Sequence, residues 1–126
     1  MRILKKQKSL LEAICQRIYD KKGFNLLVLD VRGLSTMCDF FIIAEGNVER
    51  HVQALLRAVS EQMSEQKRSP YHTEGERTGD WAVLDYGDII VHFFIPEMRE
   101  KYAIEQVWRA GSIVDIAPSE MAEKTD

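Results

Sequence analysis

The sequence predicts an α/β fold of the α+β type, a single domain in which helices flank a mixed β-sheet. Helical and extended patterns follow one another in the order α-β-β-α-β-β-α, so strands are joined directly as well as through a helix, unlike in a strictly alternating doubly wound fold. Residues 89–95, IIVHFFI, are apolar on both faces, which indicates a central strand covered on both sides. The 126 residues, 45% hydrophobic and 29% charged, are enough for one domain with a sizeable core.

Residues 79–102 predict a β-hairpin followed by a helix, and the other predicted strands and helices are expected to pair with this hairpin and cover it. Residues 81–85 are of mixed polarity, which is typical of a strand nearer the sheet edge that pairs with the central strand. Gly87 suits the turn between the two strands, because glycine reaches positive φ without steric cost. Pro96 ends the central strand and opens a helix that is predicted over residues 97–109.

The chain before the hairpin begins with a helix and two strands. Ser9 and Glu12 have the spacing of a capping box, and the residues before Ser9 are expected either to extend the helix or to fray. Apolar residues then recur at helical intervals and form one stripe. Residues 25–31 and 40–44 predict two buried strands, separated by a turn or a single helical turn at residues 35–39.

A second helix and three irregular segments complete the prediction. Asn47 is expected to cap the helix, which reaches about Gln66. Residues 67–78 are polar and predict a loop with one short extended piece. Residues 113–116 could add a short edge strand, and residues 117–126 lack periodicity, which predicts a disordered tail after a domain at 1–116.

Charge and composition narrow the classes of partner and location. The net charge is -3, and the short basic runs at residues 5–8 and 67–68 are interpreted as solvated surface. This balance favours a protein partner over naked nucleic acid and leaves a local contact with nucleic acid open. No apolar run approaches the ~20 residues of a membrane span. Cys15 and Cys38 fit two reduced thiols, so we expect a cytoplasmic protein with no membrane contact.

The residues that could support catalysis are few. Asp80, Asp85 and Asp88 flank the hairpin turn, but a two-metal nucleotidyl transfer needs carboxylates on one strand face. Since Asp85 and Asp88 straddle the turn, we interpret these aspartates as caps of turns. His51 and His92 are too far apart in the sequence, with His72 between them, to suggest a metal site. We therefore predict no enzyme, no metal and no cofactor.

Aromatic side chains in the hairpin and the last helix indicate a binding surface instead. Trp81 and Tyr86 lie beside a turn that we expect to be exposed, so they favour an interface. Tyr102 and Trp108 fit core packing and an interface equally well. Strand alternation puts Trp81 on one side and Leu84 and Tyr86 on the other, so a regular strand cannot present both aromatics to one partner.

Several spaced blocks between about residues 11 and 108 resemble the ribosomal silencing factor family, also called Iojap-like. The blocks are Asp30-Val31-Arg32-Gly33-Leu34-Ser35, Asp39-Phe40-Phe41-Ile42-Ile43, Arg50-His51-Val52, Glu74-Gly75, Gly79-Asp80-Trp81, Asp85-Tyr86-Gly87-Asp88-Ile89-Ile90-Val91-His92 and Tyr102 through Trp108. They occur in the order in which the family has them, and only the tail after Ile116 lies outside the pattern.

The resemblance implies a fold similar to nucleotidyltransferases but without their catalytic motif. It also implies binding to the universal large-subunit ribosomal protein fourteen, which blocks joining of the small and large subunits and represses translation, with no sequence-specific nucleic-acid contact. The resemblance further implies that the protein forms a homodimer when it is free. The competing hypothesis is a nucleotide-binding or nucleotidyl-transferring enzyme on the same fold.

We place the expected partner surface on the hairpin and on the helix after Pro96. The candidate residues are Trp81, Leu84, Tyr86, Asp88, His92 and Tyr102.

Overall fold

The computed structural model describes residues 3–34, 36, 38–102 and 111–116, which form three helices and six strands. The helices are α1 (Lys5–Asp20), α2 (Glu49–Glu65) and α3 (Pro96–Tyr102). The strands are β1 (Phe24–Asp30), β2 (Phe40–Glu45), β3 (His72–Glu74), β4 (Trp81–Asp85), β5 (Ile89–Phe94) and β6 (Ser112–Ile113). None of the helices in the described part of the chain is both long and apolar enough to cross a membrane.

All six strands join one mixed sheet in the order β3-β4-β5-β2-β1-β6. Strands β2 and β5 are parallel, with Phe41 opposite Ile90 and Ile43 opposite His92, and the other neighbouring pairs are antiparallel. The two middle strands are buried along their whole length. The expected mixed sheet flanked by helices, with the segment at residues 89–95 near its centre, is therefore confirmed.

The sheet has a separate apolar cluster on each face. On one face, α1 and α2 pack against the alternate strand residues that include Phe40, Leu84 and Phe93. On the other face, a smaller cluster includes Phe41 and Phe94, with α3 contributing the partly buried side chain of Met98. We call these the helix face and the second face.

The predicted capping residues of the first two helices are wrong, whereas the extension of the first helix before Ser9, one of two expected alternatives, is confirmed. Helix α1 begins at Lys5, so Ser9 lies inside the helix, because the lysines and glutamine before Ser9 are good helix formers and nothing among them stops the helix. Helix α2 is capped at Val48 without a side-chain hydrogen bond. The backbone N–H of Asn47 instead donates to Nδ1 of His51 at 2.9 Å, so Asn47 does not act as the predicted cap.

The two short pieces expected outside the main elements are present as edge strands. The polar loop contains β3, which pairs with β4, and β6 pairs with β1 at the opposite edge of the sheet. Gly87 has φ +86°, as the turn between β4 and β5 requires. Trp108, residues 35 and 37 of the predicted turn, and the predicted tail at residues 117–126 lie outside the described residues.

Candidate partner-binding surface

Strand β4 presents its two sets of alternate side chains to opposite faces of the sheet. Ala82 and Leu84 are fully buried on the helix face, whereas Trp81 and Val83 are half-buried on the second face. This confirms the predicted alternation. Trp81 and Val83 therefore pack against the second face and are also partly exposed to solvent.

Five rings on the second face form an aromatic cluster made of Phe41, Trp81, His92, Phe94 and Tyr102. The Trp81 ring lies 5.1 Å from the Phe94 ring and 4.9 Å from the Tyr102 ring, measured between centroids. The imidazole of His92 stacks on Phe41 at 4.5 Å. The buried rings support Trp81 from below, while Tyr102 is 46% exposed beside it, so the cluster has an open side.

A hydrogen bond fixes the indole of Trp81 within this cluster. Its Nε1–H donates to Nδ1 of His92 at 2.9 Å. An imidazole that accepts at Nδ1 must be neutral, with its proton on Nε2. Burial lowers the pKa of His92 to about 4, which keeps the ring in that neutral form at neutral pH. Trp81 is thus held by stacking and by a directed polar contact.

Helix α3, which carries Tyr102, is tied to the sheet by a buried polar contact. The guanidinium of Arg99 donates to a carboxylate oxygen of Glu45 at 3.0 Å and to the backbone carbonyl of Asn25. The side-chain amide of Asn25 donates to the same carboxylate at 3.1 Å. Because Glu45 is only 6% exposed, this ion pair is largely shielded from water and ties α3 to the end of β2.

Tyr86 and Leu84 do not lie on this surface. The prediction that Tyr86 faces outward beside an exposed turn is wrong, because its side chain is 1% exposed and packs on the helix face. The alternation of β4 continues into the turn and points the ring towards the helices. Burial raises the pKa of the Tyr86 hydroxyl, and the Arg68 guanidinium lies 5.8 Å from the ring centroid.

Asp88 lies at the turn, away from the aromatic cluster. Its carboxylate forms an ion pair with Arg68 at 2.6 Å, and its backbone carbonyl accepts from the N–H groups of Asp39 and Phe40. Asp85 accepts from the N–H of Gly87 at 2.8 Å, which is the predicted turn cap. The structure therefore brings Trp81, His92 and Tyr102 together and separates them from Leu84, Tyr86 and Asp88.

The aspartates of the hairpin all have structural roles. Asp80 accepts from the N–H of the next residue, Trp81, at 2.9 Å, and Asp88 forms an ion pair with Arg68, so only Asp85 caps a turn as predicted. Within residues 3–34, 36, 38–102 and 111–116, no group of three or more histidine, cysteine, aspartate or glutamate side chains is arranged to hold a metal. The carboxylates of Asp80, Asp85 and Asp88 are thus engaged with backbone N–H groups and with Arg68.

Sequence reasoning missed Phe41, Phe94 and the Arg99–Glu45 pair. Both phenylalanines were correctly predicted to lie in strands. The stacking of Phe41 on His92, however, depends on the parallel pairing of β2 with β5, and the contact of Phe94 with Trp81 depends on which face the two residues share. No local sequence pattern specifies either. The only available signal for the ion pair was a glutamate at the end of an otherwise apolar strand segment.

The described residues define a class of protein: an α+β domain with a six-stranded mixed sheet whose second face carries a half-open aromatic cluster. Two solved structures share this architecture. A protein from Chromobacterium violaceum has a TM-score of 0.79 at 28% identity, covering 94% of this chain and 95% of its own. A protein from Bacillus halodurans has a TM-score of 0.77 at 31% identity, covering 86% of this chain and 99% of its own.

The chain belongs to the ribosomal silencing factor family, RsfS. The family model described as "Ribosomal silencing factor during starvation" matches residues 4–126. The ribosomal silencing factor RsfS of Bacillus subtilis is 33% identical over 110 residues, which cover 87% of this chain and 93% of that protein. The mouse "Mitochondrial assembly of ribosomal large subunit protein 1" is 30% identical over 94 residues, covering 72% of this chain and 41% of that protein.

Proposed function

We propose that this protein silences ribosomes by binding the large subunit through its universal protein fourteen, so that the small subunit cannot join and translation is repressed. The protein acts by occupying a surface, without catalysis, metal or cofactor. The observation that carries the proposal is the aromatic cluster, together with membership of a family described as silencing factors.

The cluster has the physical properties of an interface anchor. Large aromatic side chains dominate interface energies because they bury much rigid area at low entropic cost. The Trp81 side chain is already held by the hydrogen bond to His92 and by contact with Phe94. Binding a partner therefore costs little additional side-chain entropy at this position. Tyr102 extends the same surface onto α3.

The experiment measures binding of purified large subunits, and of isolated protein fourteen, to Trp81→Ala and Tyr102→Ala variants. Loss of an anchor typically costs ~2 kcal/mol or more, so at least one variant should bind about thirtyfold more weakly. Tyr71→Ala is the matched control, because Tyr71 is an aromatic residue that is 82% exposed and outside the cluster. Its binding should equal that of the wild type.

Each variant is first shown to unfold cooperatively, since Trp81 is half-buried and its truncation also removes packing. Tyr102→Ala removes a more exposed ring, so this variant tests the proposed surface if Trp81→Ala does not fold. Folded Trp81→Ala and Tyr102→Ala variants that bind like the wild type would show that the partner lies elsewhere.

Two further parts of the proposal rest on the family resemblance. The free protein forms a homodimer, which analytical ultracentrifugation over a range of concentrations tests. Its location is the cytoplasm, where the proposed target is engaged in translation. A protein that stays monomeric at all concentrations would refute the proposed homodimer and would leave the proposal of large-subunit binding intact.

A further inference from the structure

Four exposed lysines cluster at the end of the molecule where α1 begins and α2 ends. Lys5, Lys6 and Lys8 occupy the first two turns of α1, and Lys67 follows α2. A cavity of about 220 Å³ lies between these two elements and is lined by Lys6, Ser9, Leu10, Gln66 and Arg68. The chain ends that carry the lysines are therefore neighbours in space, and we call the four residues the basic patch.

The charges of the basic patch are unbalanced. In the described part of the chain, none of the four lysines forms an ion pair with a carboxylate. Arg68 is excluded from the patch because Asp88 pairs with it at 2.6 Å. The patch thus presents four positive charges that none of the described ion pairs neutralises, on a chain whose net charge is -3.

The stability of α1 does not explain these lysines. The first turn of α1 has no acidic residue, and its N-cap, Leu4, forms no side-chain hydrogen bond. Positive side chains are unfavourable at this end of a helix, where the backbone dipole is itself positive. Lysines at such a place weaken the isolated protein, whereas an anionic partner would offset both the dipole and the side-chain charges.

We propose that the basic patch binds the phosphate backbone of ribosomal RNA. This inference rests on the proposed function, because the large subunit is the particle that would bring RNA to the patch. Flexible, strongly hydrated ammonium groups suit phosphate contacts that do not depend on sequence. The aromatic cluster anchors the protein partner, and the basic patch adds a contact that depends on salt.

The experiment compares two triple variants with the wild type. In the patch variant, Lys5→Gln, Lys6→Gln and Lys8→Gln remove three charges and keep good helix formers. In the control variant, Lys21→Gln, Arg50→Gln and Arg57→Gln remove three charges from exposed positions outside the patch. Both variants therefore have the same net charge, and only the location of the lost charges differs.

Large-subunit affinity is measured over a series of monovalent salt concentrations at constant magnesium. Release of counterions makes the logarithm of the affinity fall with the logarithm of salt, at slightly less than one unit of slope for each phosphate contact. The patch variant, which lacks three lysines, should lose nearly three units of slope and bind at least about tenfold more weakly at low salt. The control variant should keep the slope and the affinity of the wild type.

A second arm uses a bare RNA duplex and isolated protein fourteen at low salt. We expect the wild type and the control variant to bind the duplex and the patch variant to lose that binding, with all three equal towards protein fourteen. Equal salt slopes for patch variant and wild type, or a patch variant weakened towards protein fourteen, would overturn the inference. A wild type that binds the duplex but no large subunits refutes the proposed function and leaves the patch as an RNA-binding surface.

Discussion

The contact between Trp81 and His92 couples the aromatic cluster to pH. The indole N–H needs an acceptor at Nδ1, and protonation of His92 would place a second donor there. The pKa of His92 is lowered to about 4 by burial, against an ordinary value of 6.5. Between these values the unfolded chain binds more protons than the folded protein, so stability falls as the pH drops through this window.

We expect His92→Gln to reduce this pH dependence. A shift from 6.5 to about 4 corresponds to at most about 3 kcal/mol, which the wild type has above pH 6.5 and loses progressively towards pH 4. Glutamine does not titrate, and its amide oxygen can accept from the indole. Urea unfolding near pH 7 and near pH 4.5 should therefore show a loss that is about 2–3 kcal/mol smaller in the variant.

The difference between the two proteins isolates His92 from the other groups that titrate. Asp30, whose pKa is lowered chiefly by its hydrogen bond with Arg32, loses its contribution on acidification in both proteins alike. Parallel curves of stability against pH for wild type and variant would show that His92 is not held neutral by the fold.

At the scale of single residues, the sequence predicted the positions of the site side chains only where strand alternation determines the face of the sheet on which they lie. Alternation separated Trp81 from Leu84 and Tyr86 correctly. It could not identify which side the helices cover, since that depends on how α1 and α2 pack across the whole sheet. For that reason Tyr86 was expected at the surface and lies in the core.

At the scale of elements, a tight turn brings the chain back onto β4. The N–H of Gly79 donates to the carbonyl of Gly75 at 2.9 Å, and the side-chain amide of Gln53 on α2 donates to the carbonyls of Glu76 and Arg77. Gly75 has φ +74°, and a Cβ there would lie 1.9 Å from the carbonyl oxygen of Trp81. Only a residue without a side chain allows the turn to approach β4 this closely.

Gly75→Ala should destabilise the protein much more than Gly33→Ala. Both glycines have positive φ, so alanine is strained at either position by roughly 1–2 kcal/mol. A Cβ at Gly33 meets nothing within 4 Å, whereas one at Gly75 overlaps backbone. Thermal or urea unfolding should place Gly75→Ala at least about 2 kcal/mol below Gly33→Ala. Equal stabilities would mean that the turn can move away from β4 without cost.

The elements themselves were largely predictable, and their ends were not. Apolar periodicity identified α1, α2 and the strands that became β1, β2, β4 and β5. The capping residues were misplaced because Ser9 and Asn47 have side chains that suit a cap. The actual caps, Leu4 and Val48, form no side-chain hydrogen bond and carry no sequence signal.

At the scale of the whole molecule, the order of the strands in the sheet cannot be predicted from local sequence patterns. The parallel pairing of β2 with β5 through α2 builds the second face, brings Phe41 to His92, and separates the aromatic cluster from Asp88 at the turn. The resemblance to a family supplied the function that these patterns could not. What the structure adds is the division of the surface into an aromatic cluster and a basic patch.

The proposed silencing is an effect of size and position. A folded chain of 126 residues has a radius of gyration of about 14 Å, so a protein seated on the joining face of the large subunit would hold the small subunit away. Occupancy by the factor and joining should therefore exclude each other. The fraction of joined ribosomes should fall in proportion to the fraction of large subunits that carry the protein.

We expect sucrose gradients of mixed subunits to show fewer joined ribosomes as the protein is added, with the protein sedimenting on free large subunits. Because the two partners compete, raising the small-subunit concentration should raise the amount of protein needed for half inhibition in proportion. Tyr71→Ala should inhibit like the wild type, and a folded Tyr102→Ala or Trp81→Ala variant with weakened binding should inhibit less. An unchanged joined fraction while the protein cosediments with large subunits would show that it binds without blocking the joining face.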